Sequence, residues 1–306
     1  MNILDILGCR RFAQFHGFGD SVYDGVQIGA ITFSYYRMPI GQGSMLMYLK
    51  RSGIRHIELM GYDLEVEAGA PIWKCPWDQT GPEQEERAAW RHAVDLGAYR
   101  DVRAKYDDAG IGIHGVKPDI ALDGNEKVAD AELDWCFQIA KIMGAKCLTR
   151  EVPNPRDLAA AETGLRRIAK FCDKYDMLLG FHNHTQIDKA TYDGPLLDWS
   201  DKFRINFDIG HYVAANEDDP LDFIRKYHDK IFSIHVKDRT TKARKARTTV
   251  FGEGDAPLKA MFALLQKEGW SYPCDIEMEY IIPVGSDALH EVDRARRYCR
   301  GIIAAR

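Results

Sequence analysis

RINFDIGHY, residues 204–212, decides how the rest of the chain is read. Ile205, Phe207 and Ile209 alternate with Asn206 and Asp208, the period-two pattern of a strand, but here the second face is polar. A polar group buried without a partner costs roughly 2–7 kcal/mol. Asp208 therefore needs compensation at the end of an apolar run. A metal ion, a substrate, a helix N-cap or a hydrogen-bonded turn would each supply it, and His211 lies three residues further on.

Working outward, the chain alternates. Strand-like runs stand at 26–33 (VQIGAITF), 54–59, 111–116, 145–149, 177–182, 203–208, 231–236 and 274–279 (CDIEME). Helical periodicity lies between them: 45–53, about 82–109, 126–143, 158–175, 219–228, 257–268 and 287–304. Strands that alternate with helices imply parallel βαβ units, and eight such strands predict an α/β fold of the (β/α)8 TIM-barrel type. A doubly wound sheet is the rival, but no GxGxxG follows the first strand. The simplest division is one domain over residues 1–306, with 1–24 as an N-terminal extension. The stretch 60–81, with Trp73 and Trp77, is too long for a routine βα loop and is expected to be a lid, a substrate wall or a packed connection.

Composition excludes several classes. The formal net charge of −5 gives no electrostatic footprint for nucleic acid, and the basic run 237–247 reads as a solvated or phosphate-facing loop. No apolar run approaches the ~20 residues that span a bilayer, and no apolar segment follows Arg10 and Arg11 as in a signal peptide. Seven scattered cysteines without a CxxC suit reduced thiols, so a cytoplasmic location is expected.

In a barrel the chemistry sits at the C-terminal strand ends. Those ends carry Glu58; His114, leading to Lys117; Arg150 and Glu151; His182 and His184; Asp208 with His211; His235, Lys237 and Asp238; and Glu277 with Glu279. One such residue means little. Carboxylates and imidazoles at successive strand ends are the ligand types of a divalent transition metal, and a cation relieves the repulsion among gathered carboxylates. Asp208 is then most simply a metal ligand, with His211 reaching the same pocket.

FHNH, NFDIGHY, SIHVKDR, FGEGD and IEMEY, in this order, resemble the xylose isomerase-like TIM-barrel superfamily, in its sugar phosphate isomerase/epimerase group. The resemblance runs over most of the chain and implies one divalent ion, manganese first, with cobalt, zinc, iron(II) or magnesium as alternatives. It implies Asp208, His235 and Glu277 as ligands and His211 as a substrate-binding residue. The family's glutamate on the fifth barrel strand is replaced by His182-Asn183-His184, so His182, His184 or Glu151 is the candidate fourth ligand, His182 first. Glu277 and His182 are the candidate bases, and Lys237 contacts an anionic oxygen or acts as general acid. His211, Glu151, His184, Glu58 and His114 are the candidate substrate contacts.

The implied activity is metal-dependent isomerisation or epimerisation of a small sugar or keto-sugar through an enediolate. The same enediolate expels a β-leaving group in the alternative, a lyase or dehydratase acting on a 3-keto-glycoside or cyclitol, and a histidine at the glutamate position suits that acid step. Endonuclease-like phosphodiester hydrolysis and a non-catalytic sugar-binding or partner subunit are the remaining readings. A homo-oligomer is expected, because relatives often form one.

Overall fold

The computed structural model describes residues 21–74, 79–118, 130–185, 187 and 189–305. Nine strands follow in chain order: β1 (Val22–Tyr23), β2 (Val26–Ile31), β3 (His56–Met60), β4 (Gly112–Lys117), β5 (Cys147–Glu151), β6 (Leu178–His182), β7 (Phe203–Asp208), β8 (Ile231–Val236) and β9 (Pro273–Ile276). From β2 to β9 each strand lies parallel to the next, and β2 also pairs with β9, which closes an eight-stranded barrel. Helices in the connections cover its outside. The expected (β/α)8 fold is the observed one.

Alternation explains the packing. Ile57, Leu59, Ile205, Phe207, Ile234 and Val236 are fully buried in the core between sheet and helices. The other face of the same strands puts Glu58, Asn206, Asp208, Ser233 and His235 at zero exposure inside the barrel. Both faces of β7 are buried, so its polar row needs partners it does not get from water.

Several expectations shift. The N-terminal extension is part of the sheet at its end: β1 runs antiparallel to β2 through Asp24 and Gly25, both at positive φ, 44° and 86°. Residues 1–20 lie outside the described residues. The long helix expected over 82–109 is two, Gly81–Ala93 and Leu96–Asp108, because Val94 is extended and Asp95 caps the second, its Oδ1 accepting from Gly97 N at 2.9 Å. The helix expected over 126–143 is Asp130–Ile142, with 126–129 outside the described residues. The last strand stops at Ile276, so Glu277 and Glu279 lie beyond it. Ser34 Oγ donates to the Ile276 carbonyl and accepts from Met278 N, both at 3.0 Å, and so takes the ladder's place.

The stretch 60–81 is not all loop. It opens with the helix Gly61–Glu67, and residues 75–78 lie outside the described residues. Buried Glu65 ties this helix to the next one, accepting from Arg87 Nε at 2.5 Å and Arg91 Nε at 2.7 Å.

Candidate functional site

Asp208 answers the question its strand raised in two ways at once. It is the N-cap of the helix Ile209–Ala215, its Oδ1 accepting from His211 N at 2.6 Å. Its Oδ2 is buried and accepts no hydrogen bond among the described residues, although the Lys237 ammonium stands 3.2 Å away. The backbone at this point is held from the neighbouring strand: Asn183 Nδ2 donates to the Asp208 carbonyl at 3.0 Å and Asn183 Oδ1 accepts from Asp208 N at 2.9 Å. The central residue of His182-Asn183-His184 is thus a clamp on Asp208.

Asn206, two residues earlier on the same inward face, sets the state of His182. Its Nδ2 donates to Glu58 Oε2 at 2.7 Å and to Ser233 Oγ at 2.9 Å. That turns its Oδ1 toward His182 Nδ1, 2.7 Å away. An amide oxygen only accepts, so Nδ1 carries the proton and Nε2 keeps a lone pair. His182 Nε2 is buried and has no hydrogen-bond partner among the described residues. Burial, with Lys117 and His235 nearby, holds this imidazole well below its ordinary pKa, so it is neutral.

His235 lies between two carboxylates. Its Nδ1 is 2.9 Å from Glu277 Oε2, and its Nε2 is 3.0 Å from Glu58 Oε2. Burial alone would lower its pKa, but Glu58 and Glu277 raise it well above the usual value. Glu58, in turn, also accepts from Thr149 Oγ1 at 2.6 Å; burial pushes its carboxyl up most strongly, but the charge and hydrogen bond of His235, with Lys117 and Thr149, together outweigh burial and hold it down to about 2. Glu277 is held well below the carboxylate range against its burial, by Lys237 first and His235 next. Burial pushes Asp208 the other way, up to about 7, with Glu277 adding to the rise and Lys237 opposing it.

His182, Asp208, His235 and Glu277 each offer a ligand atom within 4.8 Å of the others, and all four are buried. The fit to a divalent cation rests on this donor set and on the two atoms within it that have no hydrogen bond among the described residues, His182 Nε2 and Asp208 Oδ2. Two other groups are as close in space. Glu58, His235 and Asp275 form one; both Glu58 oxygens and Asp275 Oδ2 are taken by hydrogen bonds, which leaves Asp275 Oδ1 as its one carboxylate oxygen without a hydrogen bond among the described residues. His182, His184 and His211 form the other, which shares His182 and lacks a carboxylate.

Lys237 is the cation of the pocket. Its Nζ reaches Glu279 Oε2 at 2.7 Å, Glu277 Oε2 at 2.9 Å and Asp208 Oδ2 at 3.2 Å, and the residue is 1% exposed. Burial works against the ammonium, but the three carboxylates raise its pKa above the ordinary lysine value. His211 Nε2 is 2.8 Å from the same Nζ, and Arg239 Nη1 donates to His211 Nδ1 at 2.6 Å. The guanidinium and the ammonium are both donors only, so a neutral His211, with one accepting nitrogen, accepts from one of the two at a time.

The remaining expected residues separate by depth. Glu151 pairs with half-buried Lys117 at 2.6 Å and lies 3.4 Å from His184 Nε2, at the end of β5. It stands outside the four-residue group. Glu58 contacts His235 on the side away from Glu277, within the barrel. His114 is bound to Asp275 there, Nε2 to Oδ2 at 2.7 Å. Asn183, Asn206, Lys117 and Arg239 were given no role by the sequence reading. The inward position of Asn206 between Ile205 and Phe207 was a usable signal for it, and the strand end His114-Gly115-Val116-Lys117 was one for the lysine.

Residues 49–300 match the family described as Xylose isomerase-like TIM barrel. Over 165 residues the chain is 28% identical to the inosose dehydratase of Clostridium tetani (strain Massachusetts / E88), a match covering 47% of this chain and 53% of that protein. The chain thus spans about half the length of the curated relatives it matches. Two solved structures share the fold. The probable 3-DHS dehydratase AsbF involved in petrobactin synthesis from Bacillus anthracis superposes with a TM-score of 0.65 at 12% identity, over 88% of this chain and 97% of that one. D-Psicose 3-epimerase from Clostridium cellulolyticum H10 superposes with a TM-score of 0.62 at 12% identity, over 90% and 99%. Among the described residues no helix is long and apolar enough to cross a membrane.

Proposed function

The chain belongs to the Xylose isomerase-like TIM barrel family, and we propose that it is a divalent-metal-dependent enzyme that takes a proton from carbon next to the carbonyl of a small keto-sugar or cyclitol. The observation that carries this is the pair of buried atoms without a hydrogen bond among the described residues, His182 Nε2 and Asp208 Oδ2, the latter facing the Lys237 ammonium, set among ligand atoms of His235 and Glu277. These four residues would hold the ion, with manganese the first choice, once His235, charged between Glu58 and Glu277, gives up one ring proton. When bound, such an ion supplies Lewis-acid polarisation of a carbonyl oxygen.

The chain's own residues divide the remaining work. His182 has Nδ1–H committed to Asn206 and one lone pair, at Nε2. A lone pair given to a metal is not available to a proton, so His182 is assigned as ligand and not also as base. The proton acceptor is then a carboxylate oxygen of Glu277 or Glu279. Lys237 Nζ, touching both, holds a proton where a departing oxygen needs one. His211, held between Arg239 and Lys237, is assigned to bind a substrate oxygen.

Two outcomes share this first step. Epimerisation returns the proton to the same carbon from the opposite face and needs a second proton carrier there, whereas isomerisation returns it to the neighbouring carbon and can use the same base. Elimination needs one base and one acid, and the carboxylate–ammonium pair of Glu277 and Lys237 is that arrangement. The matched inosose dehydratases favour elimination as well. Protein loaded with Mn2+ is incubated in D2O with inosose and, separately, with a ketohexose, and followed by mass spectrometry. Loss of one water from inosose supports elimination. Deuterium uptake into a product of unchanged formula supports isomerisation. Neither change on a panel of keto-sugars and cyclitols, with metal bound, removes both readings.

A further inference from the structure

The loops that follow β2 and β3 enclose a cavity of about 280 Å³ that the candidate metal centre does not use. Ring faces and thioethers make up much of its wall, among them Phe33, Tyr35, Tyr48, Met60, Tyr62 and Trp73. The polar groups along it are largely committed to the protein. Tyr35 OH is bonded to Ser52 Oγ at 2.5 Å, Tyr62 OH donates to the Trp73 carbonyl at 2.5 Å, and Tyr48 OH donates to the Pro39 carbonyl. Tyr36 OH accepts from Arg37 Nε at 2.6 Å, and Thr32 Oγ1 accepts from Met60 N at 2.9 Å. Asp63 and Lys74 also stand in the wall, Lys74 Nζ lying 3.4 Å from Glu83 Oε2. A sugar ring placed there would still bury most of its hydroxyls against ring faces.

The cavity lies beside the metal-binding segment. The turn Thr32–Tyr35, which forms part of its wall, is stitched by Ser34 Oγ to Ile276 and Met278, the two neighbours of Glu277. Met60 is the last residue of β3, two beyond Glu58. Both elements belong to the C-terminal face of the barrel, where substrates of such barrels bind. A ring-lined, mostly apolar cavity next to a site for an oxygen-rich substrate fits a molecule with two unlike halves.

We propose that this cavity is a subsite for a flat apolar group, an aromatic substituent carried by the sugar or cyclitol, so that the substrate is an aryl conjugate and not a free sugar. The proposal rests on the keto-sugar reading of the metal centre for the identity of the other half. The apolar half follows from the lining alone.

Isothermal titration of the metal-loaded full chain with phenyl β-D-glucoside, methyl β-D-glucoside and phenol tests it. Phenyl glucoside is expected to bind at least tenfold more tightly than methyl glucoside, and phenol to bind on its own. Ile40→Asp puts a charge in the cavity wall and Ile40→Trp fills it, and neither touches a candidate metal ligand. Both variants, with wild-type circular dichroism, are expected to lose the tenfold gain and phenol binding while keeping any affinity for methyl glucoside. Equal affinities for the two glucosides without phenol binding overturn the subsite and leave the sugar reading standing. Phenol binding that both Ile40 variants abolish, with neither glucoside bound, supports the subsite and leaves the keto-sugar reading standing, since a glucoside has no carbonyl. A phenyl preference that survives in folded Ile40→Trp and Ile40→Asp places the ring elsewhere and overturns the subsite.

Discussion

Lys237→Met removes the one positive charge that faces Asp208, Glu277 and Glu279 together, while keeping a side chain of similar length. The ammonium lies 2.7 Å from Glu279, 2.9 Å from Glu277 and 3.2 Å from Asp208. One unit-charge contact near 3 Å is worth about 5 kcal/mol at an effective dielectric of about 20, before desolvation is subtracted. Burying the ammonium offsets much of that gain. Removing one partner of a buried pair still leaves an uncompensated charge, at a net cost of about 3–5 kcal/mol. In chelator the variant is therefore expected to melt roughly 6–10 °C below wild type, at about 2 °C per kcal/mol for a chain of this size. A divalent ion restores the missing positive charge. Saturating Mn2+ should raise the melting temperature of Lys237→Met more than that of wild type, and close most of the gap. Differential scanning calorimetry in chelator and in Mn2+ reads both numbers. An unchanged melting temperature in chelator, or an equal metal-induced rise in the two proteins, would refute the assignment of Lys237 as the charge that balances these carboxylates.

Three further outcomes are expected. Asn206→Leu frees the His182 tautomer and strips a hydrogen bond from buried Glu58, so metal affinity measured by competition with a chromophoric chelator should fall about 10–100-fold. The charge on His235 holds Glu58 down to about 2 from 4.5. A depressed carboxylate adds stability that is complete above 4.5 and lost as pH falls toward 2, on the order of 3 kcal/mol, so urea midpoints of Glu58→Gln should be flatter than wild type across that window. Glu65→Leu leaves Arg87 and Arg91 buried without their shared carboxylate, at a cost of about 3–5 kcal/mol, and limited proteolysis should cut the segment 61–93 much faster than in wild type.

Strand positions and the gathering of polar residues at the strand ends were legible because they depend on period-two alternation and on residue type. FRINFD and IFSIHV became β7 and β8 with the same limits, and Asp208, His235, Glu277 and His182 meet. What stayed illegible depends on three-dimensional neighbours. The break at Val94 and Asp95 lies inside a pattern whose periodicity runs on through it, and only the cap formed by Asp95 reveals it. The end of β9 at Ile276 is set by Ser34, 242 residues earlier. The clamp by Asn183 and the tautomer set by Asn206 are contacts between adjacent strands, and an amide in an inward position gives no sign of which partner it will find. The depth of Glu58 and His114 follows from barrel stagger, which alternation alone does not reveal.

The central claim is a divalent ion held by His182, Asp208, His235 and Glu277. The most direct test is the metal content of protein purified without chelator, by inductively coupled plasma mass spectrometry, with wild type beside Asp208→Ala and with far-UV circular dichroism confirming that the variant is folded. About one Mn, Co, Zn or Fe per chain in wild type, lost in Asp208→Ala, is the predicted result, because Asp208 Oδ2 is one of two buried atoms left without a hydrogen bond in that donor set. Wild-type protein that is metal-free and takes up none of these ions when they are added would contradict the account and leave a barrel that binds its ligand without metal.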